Sequence, residues 1–169
     1  GQLGPGLVGR RLTLSATGAG ARRFIVGLGK KVLIANPLAS LADPLFAAMP
    51  DQLTTPQAWL AMTAYTLQIY FDFSGYTDMA IGLGKMLGFE APENFAHPYT
   101  ARSVREFWQR WHMTLTSWLR DFVFLPLAYA LDRRVQRLGL RARHADLLTS
   151  SLATLVTMAL CGLWHGAAW

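Results

Sequence analysis

Long apolar stretches separated by short polar or basic segments dominate this 169-residue chain. The run from Gln52 to Phe71 contains no charge, and the run from Leu147 to Trp169 contains no Asp, Glu, Lys or Arg. Each is close to the ~20 residues that an α-helix needs to cross a bilayer. We therefore predict a membrane-spanning helix at each of these two positions.

A third apolar segment, Phe24 to Met49, is interrupted by Lys30 and Lys31 and by two prolines. Its uncharged part, Val32 to Ala42, is too short for a full crossing. The pattern therefore predicts a kinked, interfacial or partly re-entrant helix here. Arg23, just upstream, is expected at the surface or at the membrane interface.

The polar segments predict where helices begin and end. Asp51 to Gln57 has the composition of a loop, with Thr55 as the predicted N-cap and Pro56 at the first helical position. The membrane helix that follows is expected to stop at the polar segment Asp72–Asp78, and helix is expected to resume at Met79.

Residues 103–125 have the periodicity of one amphipathic helix. One face carries Trp108, Trp111, His112, Leu115, Leu119 and Phe122. Such a helix fits the membrane interface or the wall of a polar interior. Pro126 is predicted to break or kink the chain after it.

Composition supports a membrane environment. Charged residues make up 15% of the chain, against about 25% in soluble domains. The net charge of +6 comes mostly from basic residues at the ends of apolar segments, which favours membrane topology over nucleic-acid binding. The densest group is Arg133, Arg134, Arg137, Arg141 and Arg143. We expect these arginines to face the cytoplasm. The alternative is that they bind an acidic carrier protein or the phosphates of a nucleotide-linked donor.

Two histidines are the strongest candidates for chemistry. His165 follows Trp164 near the end of the last apolar run, where an ionisable group is costly and usually functional. Histidine titrates near neutral pH and serves as a general base. A packing role is the alternative, but the adjacent Gly166 favours an accessible imidazole. For His112, preceded by Trp111, a structural and a functional role are evenly balanced.

Two carboxylates, Asp72 and Asp78, flank Ser74 and Tyr76. Their spacing of six residues does not place them on one face of a regular helix, but a break at Gly75 would let them cap backbone amides or pair with an arginine. A structural or tunnel-lining role is favoured over paired acid–base catalysis. No cysteine–histidine set has zinc-ligand spacing, so no metal site is predicted.

Five segments together resemble the membrane-bound O-acyltransferase (MBOAT) superfamily, in its bacterial branch that O-acetylates alginate and related polysaccharides. They are GLGKKVLIAN (27–36), YFDFSGYTDMAIG (70–82), FWQRWHMTL (107–115), WLRDF (118–122) and GLWHG (162–166). Asn36 departs from the pattern, because related proteins are expected to carry Asp there.

This resemblance implies an all-α, polytopic transmembrane fold with helices around a central tunnel, in the bacterial inner membrane. Residues 1–169 are then expected to be part of one such domain, incomplete at both ends. His165 matches the family's essential histidine and His112 its second characteristic histidine. The residues expected to line the tunnel or support it are Asp72, Ser74, Tyr76, Asp78, Trp111 and Trp164.

The implied activity is transfer of an acetyl or other acyl group to a hydroxyl of an extracytoplasmic, alginate-like polysaccharide. The donor is expected to be acetyl-CoA or another acyl thioester on the cytoplasmic side, with no bound cofactor and with His165 as general base. Expected partners are the lipid bilayer, the donor, and the polysaccharide or a periplasmic acyl-relay protein, but no nucleic acid. The alternatives are a transporter, which would also explain intramembrane His and Asp residues, and a non-catalytic scaffold for exopolysaccharide assembly.

Overall fold

The computed structural model describes residues 12–139 and 141–166, and its regular secondary structure there is helical, as predicted. The α-helices of these residues are α1 (Leu14–Ala47), α2 (Thr55–Met86), α3 (Val104–Arg110), α4 (Met113–Leu119), α5 (Leu125–Val135) and α6 (Ala142–His165). Short 3-10 turns lie at Pro50–Gln52, Pro98–Thr100 and Gln136–Leu138. The chain divides into two compact units, one up to Asn94 and one from Phe95.

Helices α1 and α2 form the first unit and run antiparallel with their backbones in contact. A Cβ atom added at Gly27 would lie 2.6 Å from the carbonyl oxygen of Gly75, and one added at Gly20 would lie 2.6 Å from that of Gly82. Since no larger residue fits at these positions, glycine sets the distance between the helices.

Helix α1 is continuous, so the predicted interruption between Phe24 and Met49 is wrong. The segment Lys30–Ala35 is a π-helix, in which the N–H of Asn36 bonds the carbonyl of Lys31, five residues back. Pro37 follows this segment after one residue, Asn36. The wider π turn relieves the steric contact between the proline ring and the preceding turn. The helix therefore continues with a local change in its hydrogen-bonding pattern instead of ending.

Helix α2 is also continuous, through 32 residues. The predicted break at Asp72–Asp78 is wrong because both carboxylates find cationic partners on α1. The start of α2 lies one residue from the prediction: Thr54 is the N-cap, and its N–H donates to Gln57 Oε1 at 2.9 Å in a capping box.

Among the described residues, α1 and α6 are the helices long and apolar enough to cross a membrane, with mean hydropathies of 1.4 and 1.7. Helix α6 begins at Ala142, five residues before the predicted start, and ends at His165. Helix α2 is long enough to cross a membrane but is not apolar enough. The membrane-spanning helix predicted at Gln52–Phe71 is therefore not one of these two helices.

In the second unit, the prediction of one helix over residues 103–125 is wrong. Helix α3 ends at Arg110, and α4 begins at Met113 after a sharp break. From there the chain remains helical through a π segment, Arg120–Phe124, into α5. Pro126 follows this π segment as Pro37 follows the first one, so it is accommodated without the break that its sequence position predicts.

A turn after α5 reverses the chain direction, and α6 packs back along α5 and the π segment before it. The forward arm consists of consecutive segments of 7, 5 and 11 residues, and α6 has 24. At 1.5 Å per residue, both arms are about 35 Å long. We call this arrangement the α4–α6 hairpin.

Candidate active site

The break between α3 and α4 is centred on His112, whose φ of 44° and ψ of 54° lie in the left-handed region. A histidine rarely adopts this conformation, and such residues cluster at functional sites. The backbone bridge between Phe95 and Trp111 and the bond from Ala96 N–H to the Arg110 carbonyl, 3.0 Å long, anchor the chain just before it. The geometry of His112 is therefore imposed by its neighbours.

The Arg110 side chain fixes the end of α3. Its guanidinium donates to Glu106 Oε1 at 2.5 Å and to Thr100 Oγ1 at 2.9 Å. The first contact joins residues one helical turn apart, and the second joins α3 to the 3-10 turn before it. Arg110 thus holds the chain in place two residues before His112.

Thr116 stabilises the other side of the break. Its N–H donates to the His112 carbonyl at 3.0 Å, and its hydroxyl donates to the Trp111 carbonyl at 3.1 Å. These two bonds satisfy carbonyls that the interrupted helix would otherwise leave without an intrahelical partner.

Trp111 belongs to an aromatic cluster. Its ring stacks on Phe107 at 5.6 Å between centroids, meets Phe95 edge-on at 5.0 Å, and lies 6.2 Å from Tyr99. Trp111 was predicted either to line the tunnel or to support its structure. These contacts favour support, because the ring packs the loop 95–101 against α3.

The α4–α6 hairpin brings the two histidines, 53 positions apart in the sequence, to the same end. His112 immediately precedes α4, and His165 is the last residue of α6. Burial lowers the pKa of the His112 imidazole below its ordinary 6.5, and repulsion from a charge on His165 lowers it further. The lowered pKa favours the neutral form of His112 near neutral pH.

His165 lies in a more open position. Its ring meets the ring of Trp164 edge-on, with centroids 4.6 Å apart, and both residues are exposed. Gly166 ends α6 with a φ of 139°, which favours glycine. The exposed position of His165 is one that a base reaching a substrate requires.

The two predicted carboxylates lie in the first unit and form ion pairs. Asp78 Oδ2 accepts from Lys30 Nζ at 2.6 Å, and its Oδ1 accepts from the Arg23 guanidinium at 2.8 Å. Lys31 pairs with Asp72. The arginine pairing considered for these carboxylates is therefore confirmed for Asp78, although within a helix rather than at its terminus.

These pairs balance charge along the α1–α2 contact. Arg23 also pairs with Glu93, so three cations face three carboxylates. Arg23 is thus partly buried in a network of ion pairs, whereas the prediction was a position at the surface or at the membrane interface. Full neutralisation favours structural support as the role of Asp72 and Asp78.

The remaining two predicted positions differ from each other. Ser74 is 2% exposed, and its hydroxyl has no hydrogen-bond partner among the described residues. Tyr76 is 61% exposed on α2.

Sequence reasoning missed several residues that build this arrangement. The sequence did not indicate the roles of Arg110, Glu106 and Thr100, because the hydrophobic periodicity of residues 103–125 continues through the break at His112. His97, the other described non-glycine residue with positive φ, was also missed. A usable signal existed for the ion pairs, since two adjacent lysines in an apolar helix require opposite charges on a neighbouring one.

Comparison with known proteins identifies a family and several relatives of this chain. The profile of the MBOAT, membrane-bound O-acyltransferase family matches residues 10–169. The chain is 45% identical over 95% of its length to the "Probable alginate O-acetylase AlgI" of Azotobacter vinelandii. It is 40% identical over 86% of its length to the "Peptidoglycan O-acetyltransferase" of Helicobacter pylori, and 35% identical over 64% to the "Teichoic acid D-alanyltransferase" of Bacillus subtilis.

The chain spans only part of these proteins. It covers 29% of the Azotobacter relative, 25% of the Helicobacter relative and 26% of the Bacillus relative. The family profile nevertheless extends over both units and includes every candidate site residue.

Proposed function

The chain belongs to the membrane-bound O-acyltransferase family, and we propose that it carries the histidine pair of an enzyme that O-acetylates an extracytoplasmic polysaccharide. The observation that carries this proposal is the placement of His112 and His165 at one end of the α4–α6 hairpin, with His112 in a left-handed conformation. An imidazole base beside a second, neutral imidazole suits acyl transfer to a hydroxyl.

In the proposed reaction, His165 removes the proton from an acceptor hydroxyl as its oxygen attacks the thioester carbonyl. The new C–O bond forms, the C–S bond breaks, and the proton passes from His165 to the leaving thiolate. The products are an ester and a free thiol, so no redox partner is needed. His112, kept neutral by burial, orients the reactants or donates a hydrogen bond to the developing oxyanion.

We propose an acetyl thioester, such as acetyl-CoA, as donor and an alginate-like polymer as acceptor. The support is the order of identity: 45–48% to five relatives named alginate O-acetylases, 40% to a peptidoglycan O-acetyltransferase and 35–38% to teichoic acid D-alanyltransferases. The proposed location is the bacterial inner membrane, in a multi-pass protein with the donor on the cytoplasmic side. The acceptor is then the polysaccharide itself or a periplasmic acyl-relay protein.

The test replaces His165 with alanine in the full-length protein and measures O-acetyl groups on the secreted polymer. We expect acetylation to be lost while the amount of protein in the membrane is unchanged. His144→Ala is the matched control, because His144 is an exposed histidine in the first turn of the same helix. Substantial acetylation by the His165 variant would overturn the assignment.

The same experiment separates the enzyme from a transporter or scaffold. Loss of acetyl groups with normal polymer export supports acyl transfer. Loss of export with normal acetylation of the remaining polymer would instead identify a transport or assembly role.

A further inference from the structure

The end of α5, the turn after it and the start of α6 together carry a concentration of positive charge that acyl transfer does not use. This segment contains Arg133, Arg134, Arg137, Arg141 and Arg143. We call the described part of this segment, residues 133–139 and 141–143, the basic turn. All five arginines are exposed, and none forms an ion pair within the described parts of the chain. Arg23 at the α1–α2 contact and Arg110 in α3, by contrast, are paired.

The carboxylates nearest in sequence do not neutralise this charge. Asp132 accepts a hydrogen bond from the Gln136 side chain at 2.7 Å, and Asp146 lies exposed in the first turns of α6. Five guanidinium groups within eleven residues are therefore available to an external anion. Guanidinium groups bind phosphate oxygens strongly and often bidentately.

An apolar side chain lies among these arginines. Leu138 is 65% exposed at the tip, directly before Gly139, whose φ of 65° closes the turn in the left-handed region. A soluble phosphate ligand would leave Leu138 in water. A bilayer surface satisfies both groups, because phosphates contact the arginines while Leu138 enters the acyl-chain boundary.

The position of the turn agrees with a membrane surface. It lies at the start of α6, the more apolar of the two helices able to span a bilayer. It is separated from the histidines by the ~35 Å length of the α4–α6 hairpin, which exceeds the ~30 Å hydrocarbon thickness of a bilayer. We propose that the basic turn is a binding site for anionic phospholipid headgroups, with Leu138 inserted between the lipids.

The test measures binding of short-chain phosphatidylglycerol and phosphatidylcholine to the full-length protein in neutral detergent. The variant is Arg133→Gln, Arg137→Gln and Arg141→Gln combined. The control combines Arg22→Gln, Arg102→Gln and Arg105→Gln, which removes the same charge from exposed arginines elsewhere. We expect phosphatidylglycerol affinity to fall roughly a hundredfold in the variant and less than threefold in the control, with phosphatidylcholine unaffected by either.

A second measurement keeps the proposal falsifiable if the triple variant fails to fold. In the unmodified protein, raising NaCl from about 0.05 to 0.5 M should weaken phosphatidylglycerol binding but not phosphatidylcholine binding, and Leu138→Ser should weaken phosphatidylglycerol binding. Equal phosphatidylglycerol affinity in the variant and the control would overturn the proposal. Displacement of phosphatidylglycerol by acetyl-CoA would also overturn it and would assign the turn to the donor.

Discussion

At the scale of single residues, His112 shows how burial and a charged neighbour act on one imidazole. Both effects disfavour its protonated form, with burial the larger. In full-length protein with isotope-labelled histidine, NMR should show His112 titrating below pH 6.5. In His165→Ala the midpoint should rise only part of the way to 6.5, because burial remains. A midpoint above 6.5, or full recovery in the variant, contradicts this account.

The same shift predicts how stability depends on pH. Because the pKa of His112 is lower in the folded protein, the unfolded chain binds more protons just below pH 6.5. The contribution of His112 is therefore fully present above 6.5 and is lost as pH falls toward its folded pKa. Thermal unfolding of His112→Gln should depend less on pH below 6.5 than that of the unmodified protein. His144→Gln, which changes an exposed histidine, should retain the original dependence.

Arg110 is the residue whose substitution best tests how His112 is positioned. Arg110→Lys keeps the charge but cannot donate from one planar group to both Glu106 and Thr100. We expect kcat for acyl transfer to fall by roughly 10- to 100-fold, with little change in KM and a displaced His112 resonance. Arg105→Lys is the control, since Arg105 is exposed on the same helix. A normal kcat in the Arg110→Lys variant would show that Arg110 contributes to stability and not to the positioning of His112.

At the scale of elements, the glycine contacts between α1 and α2 determine how closely these helices pack. A methyl group at Gly27 would lie 2.6 Å from the Gly75 carbonyl, so the two backbones must separate. We expect Gly27→Ala to destabilise the protein by about 1–3 kcal/mol. Gly29→Ala is the matched control: its Cβ meets nothing within 4 Å, and the change should stabilise the helix by roughly 0.5–1 kcal/mol. Thermal unfolding of the two variants should shift in opposite directions.

Helical elements were predictable from the sequence, but their continuity was not. Periodicity and apolar length indicated helix in the regions of α2, α3, α4 and α6 and in much of α1, but not in α5. Pro37 and the segment Asp72–Asp78 look like interruptions because local sequence does not show a π turn or a cation on a neighbouring helix. Conversely, the break at His112 leaves no local trace, because contacts with residues 95–100 impose it. Both kinds of error arise where tertiary contacts override local preference.

At the scale of the whole molecule, the α4–α6 hairpin separates two chemically different ends. The residues for chemistry were recognisable from sequence because histidines are rare in apolar segments. Their placement together was not, since it depends on two arms of nearly equal length joined by the basic turn. Because the two arms have nearly equal length, α6 ends beside the start of α4. His112 and His165 therefore lie at one end of the hairpin, and the arginines lie at the other.

This separation makes a topological prediction for the full-length protein. In a Cys161→Ser background, His144→Cys and Trp164→Cys each place a thiol at an exposed position near one end of α6. If α6 spans the membrane with the arginines facing the cytoplasm, a membrane-impermeant maleimide should label position 144 only in inverted vesicles. Position 164 should be protected there and labelled, if at all, only in intact spheroplasts. Labelling of both thiols from one side would show that α6 does not cross, because a 24-residue helix cannot lie across the bilayer and present both ends to the same compartment.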